Sequence, residues 1–156
     1  MNRTVLICYI LGGLIVGCTA QTNDEKISKT ANKVLSAIKN GNEKEFVELI
    51  GVEPRQIGKN KELLSHDFEK CKYLYNRYLK NHEVEVLITD EYNELGNRKV
   101  IIPFYKGNDR ANNTSEARLE LYFGPPNFVS LNKLANYKLI IENINPPEII
   151  AAPIKN

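Results

Sequence analysis

The sequence predicts an α+β domain, with about three N-terminal helices packed on an antiparallel sheet of about four strands. Apolar residues recur at three- and four-residue spacing between Ile27 and Tyr78, then switch to alternation from Val84 onward, which is the change from helical to strand periodicity. The chain has 156 residues, 42% hydrophobic and 26% charged, the size and usage of one ordinary domain. A chain of that length buries roughly two thirds of its unfolded surface and needs no metal or disulfide staple.

The first helix is read in "DEKISKTANKVLSAIKNG", where Ile27, Ala31, Val34, Leu35 and Ile38 share one face. Asp24 and Glu25 favour its start through the helix dipole, and Gly41 is placed to end it. Asn42 caps a shorter second helix carrying Phe46, Val47, Leu49 and Ile50, stopped by Gly51. "VEPRQIGKN" reads as a loop. A third helix is expected from about Asn60 or Ser65 to Lys80, with a stripe of Leu64, Phe68, Cys71, Tyr75 and Tyr78.

"EVEVLITDEY" then alternates Val84, Val86 and Ile88 against Glu85, Leu87 and Thr89, which is a strand. "NELGN" is a turn, and "RKVIIPFYKG" is the return strand, where Pro103 requires an edge or a bulge. "GNDRANNTS" reads as a polar loop; its overlapping N-x-T and N-x-S matter only in a host that glycosylates them. In "EARLELYFG", Ala117, Leu119, Leu121 and Phe123 lie opposite Arg118, Glu120 and Tyr122. "NFVSLNKLAN" is ambiguous, and "YKLIIENI" is the last strand before Pro146-Pro147 and an apolar tail with Ile149, Ile150 and Ile154.

The N-terminus is a different kind of segment. "MNRTVLICYILGGLIVGC" pairs a short polar start carrying Arg3 with an apolar run from Val5 to Val16, shorter than the roughly 20 residues a bilayer requires. That is the form of an export signal. Its end, Ile15-Val16-Gly17-Cys18, resembles the lipobox of bacterial lipoproteins: an aliphatic residue, a permissive one, a small one, then cysteine. The resemblance implies cleavage between Gly17 and Cys18, and a diacylglycerol thioether and further acylation (palmitate) on Cys18. Several acyl chains hold a protein stably on a membrane at about 0.8 kcal/mol per buried methylene. Thr19 after the cysteine is similar to the outer-membrane sorting signal of enteric bacteria; a single-membrane bacterium would hold the protein on the outer face of its plasma membrane.

The expected organisation is a removed signal at 1–17, a lipidated tether at 18–25, one α+β domain at 26–145 and a Pro-containing apolar tail at 146–156. A tether of six to eight residues reaches roughly 20–28 Å at about 3.5 Å per residue. Cys8 falls in the discarded segment, so Cys71 is the one cysteine of the body and reads as a buried small hydrophobe.

Within the body, "AIKNGNEKEFVELIG" resembles the helix–turn–helix opening of nuclear transport factor 2-like domains, and "YKLIIENI" is similar to their closing strand. The resemblance implies a curved sheet wrapped around the long helix as a cone with a pocket. Members of that superfamily include isomerases and dehydratases that use an Asp base with a Tyr, or an Asp–His pair. By that analogy the acid–base candidates are His66, Asp67, Tyr75, Tyr78, His82 and Asp90. His66 and Asp67 are neighbours whose side chains point apart, and Asp67 reads as a first-turn acid of the third helix. His82 sits at the helix–strand junction beside Glu83 and reads as solvated; Tyr75 and Tyr78 read as core or pocket wall.

Other chemistries lack their residues. The two histidines and Cys71 show no HxH, HExxH or CxxC spacing, so no metal set is expected, and no glycine-rich phosphate cradle or serine elbow is present. No cofactor is expected. Lys plus Arg is 21 against 19 Asp plus Glu, a formal net charge of +2, which gives nucleic acid no electrostatic hold. The expectation is a membrane-anchored envelope lipoprotein of non-catalytic type that binds a small ligand or a protein, with no catalytic residues assigned. Its alternatives are an isomerase or hydratase with acid–base residues in the cone, or an interaction or inhibitor protein of the envelope.

Overall fold

The computed structural model describes residues 22–50, 54–108, 114–124 and 134–144, with the backbone alone over 54–60. The readings made on Cys8, on Gly17 and Cys18, on the tether as far as Gln21, on Gly51, on Asn112 and Asn113, on "NFVSLNK" and on the 146–156 tail lie outside these residues. In chain order come α1 (Asn23–Asn40), α2 (Glu43–Leu49), α3 (Pro54–Leu74), β1 (Leu87–Tyr92), β2 (Arg98–Asn108), β3 (Thr114–Phe123) and β4 (Asn136–Glu142). The strands form one antiparallel sheet in the order β1-β2-β3-β4, and the fold class is α+β, as the periodicity predicts.

Each helix end has a chemical cause. Thr22 accepts a hydrogen bond from the Glu25 amide at 3.2 Å, and the Glu25 carboxylate accepts from the Thr22 amide at 2.9 Å, a reciprocal cap that starts α1 at Asn23. Gly41 ends it in the left-handed region at φ 68°, where any Cβ is strained. Asn42 caps α2 by accepting from the Glu45 amide at 3.2 Å.

The third helix is longer than expected. It begins at Pro54 inside the segment read as a loop, because proline suits the first helical turn, where no amide partner is needed. It runs on into a π-helical turn, Tyr75–Leu79.

The core lies between the helices and one sheet face. Ile27, Ala31, Val34, Ala37 and Ile38 of α1, Phe46 of α2, and Leu64, Phe68, Cys71 and Leu74 of α3 are all buried. They meet Val100, Ile102 and Phe104 of β2 and Ala117, Leu119, Leu121 and Phe123 of β3 in one cluster. The alternation read in "EARLELYFG" is therefore the burial pattern of β3. Phe46 packs on Phe68 with ring centroids 5.3 Å apart and edge-on to Tyr137 at 6.2 Å.

Of the edge or bulge that Pro103 suggests in the sequence, the structure has the bulge. Pro103 pairs with Arg118 but Tyr105 pairs with Ala117, so Phe104 is the extra residue. The same proline explains why β1 starts three residues late. The Leu87↔Ile101 register would set Glu85 against Pro103, which has no N–H to give, so Val84–Val86 keep alternating burial without joining the ladder. The loop expected at 107–115 is shorter at both ends, since Gly107↔Ser115 and Asn108↔Thr114 are paired.

Candidate functional site

The six acid–base candidates do not converge. His66 and His82 are exposed, Tyr75 is buried in the core, and Tyr78 is half-buried against Tyr105 with centroids 4.7 Å apart. Asp90 is exposed on β1 and pairs with Arg98 at 3.3 Å; the same Arg98 also bridges to Asp24 at the start of α1.

Asp67 is the one of these candidates whose carboxylate meets a tyrosine hydroxyl. With α3 starting at Pro54, Asp67 is a mid-helix residue and not the first-turn acid expected, so the helix N-terminus has no hold on it. Its carboxylate accepts the Tyr137 hydroxyl at 2.9 Å, across the seam between α3 and β4, and lies 4.0 Å from Lys70 Nζ. Burial first, then the Asp67 charge and hydrogen bond, push the Tyr137 phenol well above its ordinary value. Cys71, one turn along α3, is fully buried, and burial reinforced by Asp67 raises its thiol too. The phenol proton is thus committed to Asp67, and Cys71 is an inert thiol. Tyr137 was not among the sequence candidates. The alternation Tyr137, Leu139, Ile141 would have placed it on the core face of β4, but nothing local connects it to a carboxylate seventy positions away.

The opposite sheet face carries a second polar group. Arg118 of β3 lies between Glu116 and Glu120, with Nε donating to Glu120 at 2.9 Å, and Tyr122 donates to the other Glu120 oxygen at 2.6 Å. Burial alone would raise the Glu120 carboxyl, but the bonds from Tyr122 and Arg118 outweigh it and hold the group below its usual range. The Tyr122 phenol is pushed up to about 12, by burial first and by Glu120 second.

Beside Tyr122, the β1–β2 hairpin opens a cleft of about 210 Å³ lined by Glu91, Tyr92, Asn93, Lys99 and Tyr122. Hydrogen bonds close the hairpin. Asn93 Oδ1 accepts the amides of Leu95 at 3.0 Å and Asn97 at 2.9 Å, and Gly96 takes φ 73°. A register shift between Ile88 and Tyr92 bulges β1, where Thr89 Oγ1 donates to the Lys99 carbonyl at 2.9 Å and Lys99 pairs with Glu91.

Among the described residues no group of three or more His, Cys, Asp or Glu is placed to hold a metal ion, and no helix is long and apolar enough to cross a membrane. No family model, curated protein or solved structure matches the chain.

Proposed function

We propose that the chain is a bacterial envelope lipoprotein, held on a membrane by acyl chains on Cys18, whose α+β body is a non-catalytic binding module. The observation that carries the reading is the lipobox-like Ile15-Val16-Gly17-Cys18 directly after an apolar run too short to span a bilayer. The order of elements, two helices broken at Gly41, a long third helix and then an antiparallel meander, supports the likeness to nuclear transport factor 2-like cones. The non-catalytic half rests on dispersal: His66, His82 and Asp90 face water, and Asp67 already holds a proton donor. A general base must instead sit near a substrate with its lone pair available.

Fractionation tests the anchor. Cys18→Ser is expected to move the protein from the membrane fraction to the soluble one; unchanged fractionation contradicts the reading. An acid–base enzyme is the second reading, and the Asp67–Tyr137 pair is what favours it. On that reading Asp67→Asn abolishes a turnover that the parent chain performs, with the fold retained by circular dichroism.

A further inference from the structure

The cleft on the β1–β2 hairpin combines features that select one ligand chemistry. Its volume of about 210 Å³ is below the roughly 300–1,000 Å³ of drug-sized sites, so it fits a single ring or the end of a chain. Its two charged walls, Lys99 and Glu91, are ion-paired with each other. An anion would have to displace Glu91 and a cation would have to displace Lys99, so neither is favoured; a neutral ligand leaves the pair intact and gains both a donor and an acceptor from it.

The remaining polar groups are fixed before any ligand arrives. Asn93 Oδ1 is taken by the two turn amides, which leaves Nδ2 as the donor of that side chain. The Tyr122 hydroxyl gives its proton to Glu120, which Arg118 holds in turn, so the phenol oxygen presents lone pairs as an acceptor. Tyr92 is 62% exposed, so much of its ring is open to solvent beside these polar groups. Fixed donors and acceptors beside an exposed aromatic face match a molecule with hydroxyls around its edge and C–H bonds on its face, which meet the negative π-face of a tyrosine. Preorganisation limits the ordering cost of binding.

We propose that the cleft formed by Glu91, Tyr92, Asn93, Lys99 and Tyr122 binds one ring of a neutral saccharide. The inference deepens the binding-module reading above and rests on it. Lys99 and Glu91 take up ring hydroxyls, Asn93 Nδ2 donates and Tyr122 accepts, and the Tyr92 ring covers the sugar face.

Saturation-transfer NMR on the full-length chain in detergent tests it, with maltotriose and the trisaccharide of N-acetylglucosamine as neutral probes and glucose 6-phosphate and glucosamine as charged counterparts. Transfer to the ring C–H protons of a neutral probe is expected. Tyr92→Ala is expected to weaken binding about tenfold or more, and Lys99→Met about fivefold, while Tyr92→Phe stays within about threefold. Tyr92 is exposed, so circular dichroism and melting of Tyr92→Ala should match the parent. Absence of transfer to both neutral probes, stronger transfer to a charged counterpart, or indifference to Tyr92→Ala overturns the inference. Any of these leaves the anchor untouched, which the Cys18→Ser fractionation decides. Chemical conversion of a probe during the measurement would overturn the non-catalytic reading instead.

Discussion

Tyr137 and Asp67 join the third helix to the last strand, and their bond is the polar contact most informative about how this core is closed. Tyr137→Phe keeps the ring against Phe46 and removes only the donor. Because Asp67 retains some access to water, the expected loss is about 1 kcal/mol in urea denaturation. Phe46→Ala empties a fully buried site between Phe68 and Tyr137, and about 3–5 kcal/mol is expected. Raised acids give a pH dependence of definite sign. Cys71, Tyr122 and Tyr137 bind their protons more tightly folded than unfolded, so their contribution is complete at neutral pH. It is lost as pH rises past the unfolded thiol and phenol values, near 8.5 and 10, through the higher folded ones. Glu120 has the opposite sign, its contribution falling away in acid below about pH 4.3. The urea midpoint should therefore decline from about pH 9 upward. Absorbance at 295 nm, taken as the difference between the parent and Tyr122→Phe or Tyr137→Phe, should show these two phenolates appearing with unfolding; a difference signal near pH 10 in a folded chain would contradict the geometry. The residues behind these predictions were partly legible. Alternation put Glu120 and Tyr122 on one face together, but the sequence alone set Tyr122 on an outer polar face and gave no sign that Glu120 is buried there.

At the scale of elements, periodicity was legible and boundaries depended on caps and on one proline. The apolar stripes predicted for the first and third helices are buried except for Leu35 and Tyr78, which are partly so, and Leu74, which the third-helix stripe omits, is fully buried. The start of α1 lies in a Thr-x-x-Glu box. Thr22→Ala should cost about 1 kcal/mol, and Thr22→Ser should recover most of it. Gly41→Ala should cost a further 1 kcal/mol or about that, from its left-handed backbone. The start of α3 was read late because Pro54 and Gly58 look like breakers in sequence, whereas a proline in the first turn breaks nothing. The late start of β1 follows from Pro103, fifteen or more positions away, and only strand register reveals it. Hydrogen exchange should find the Val86 amide unprotected and the Val100 amide among the slowest.

At the scale of the molecule, the sheet has one face filled by the helices and one that carries Glu116, Arg118, Glu120 and Tyr122. The helices fill the first with side chains, and the binding proposed above lies on the second, at the hairpin where Lys99 and Glu91 meet two tyrosines. Three of the exposed large hydrophobic residues, Leu87, Tyr92 and Leu95, belong to that same hairpin. Anchoring by Cys18 would hold this face within a short tether of a membrane and limit it to ligands found there. The central claim concerns that anchor, and the mass of the N-terminal peptide from the chain purified in its native host tests it most directly. The account predicts a peptide beginning at Cys18, lacking residues 1–17 and carrying a diacylglycerol. A peptide retaining Gly17, or an unmodified Cys18, would contradict it.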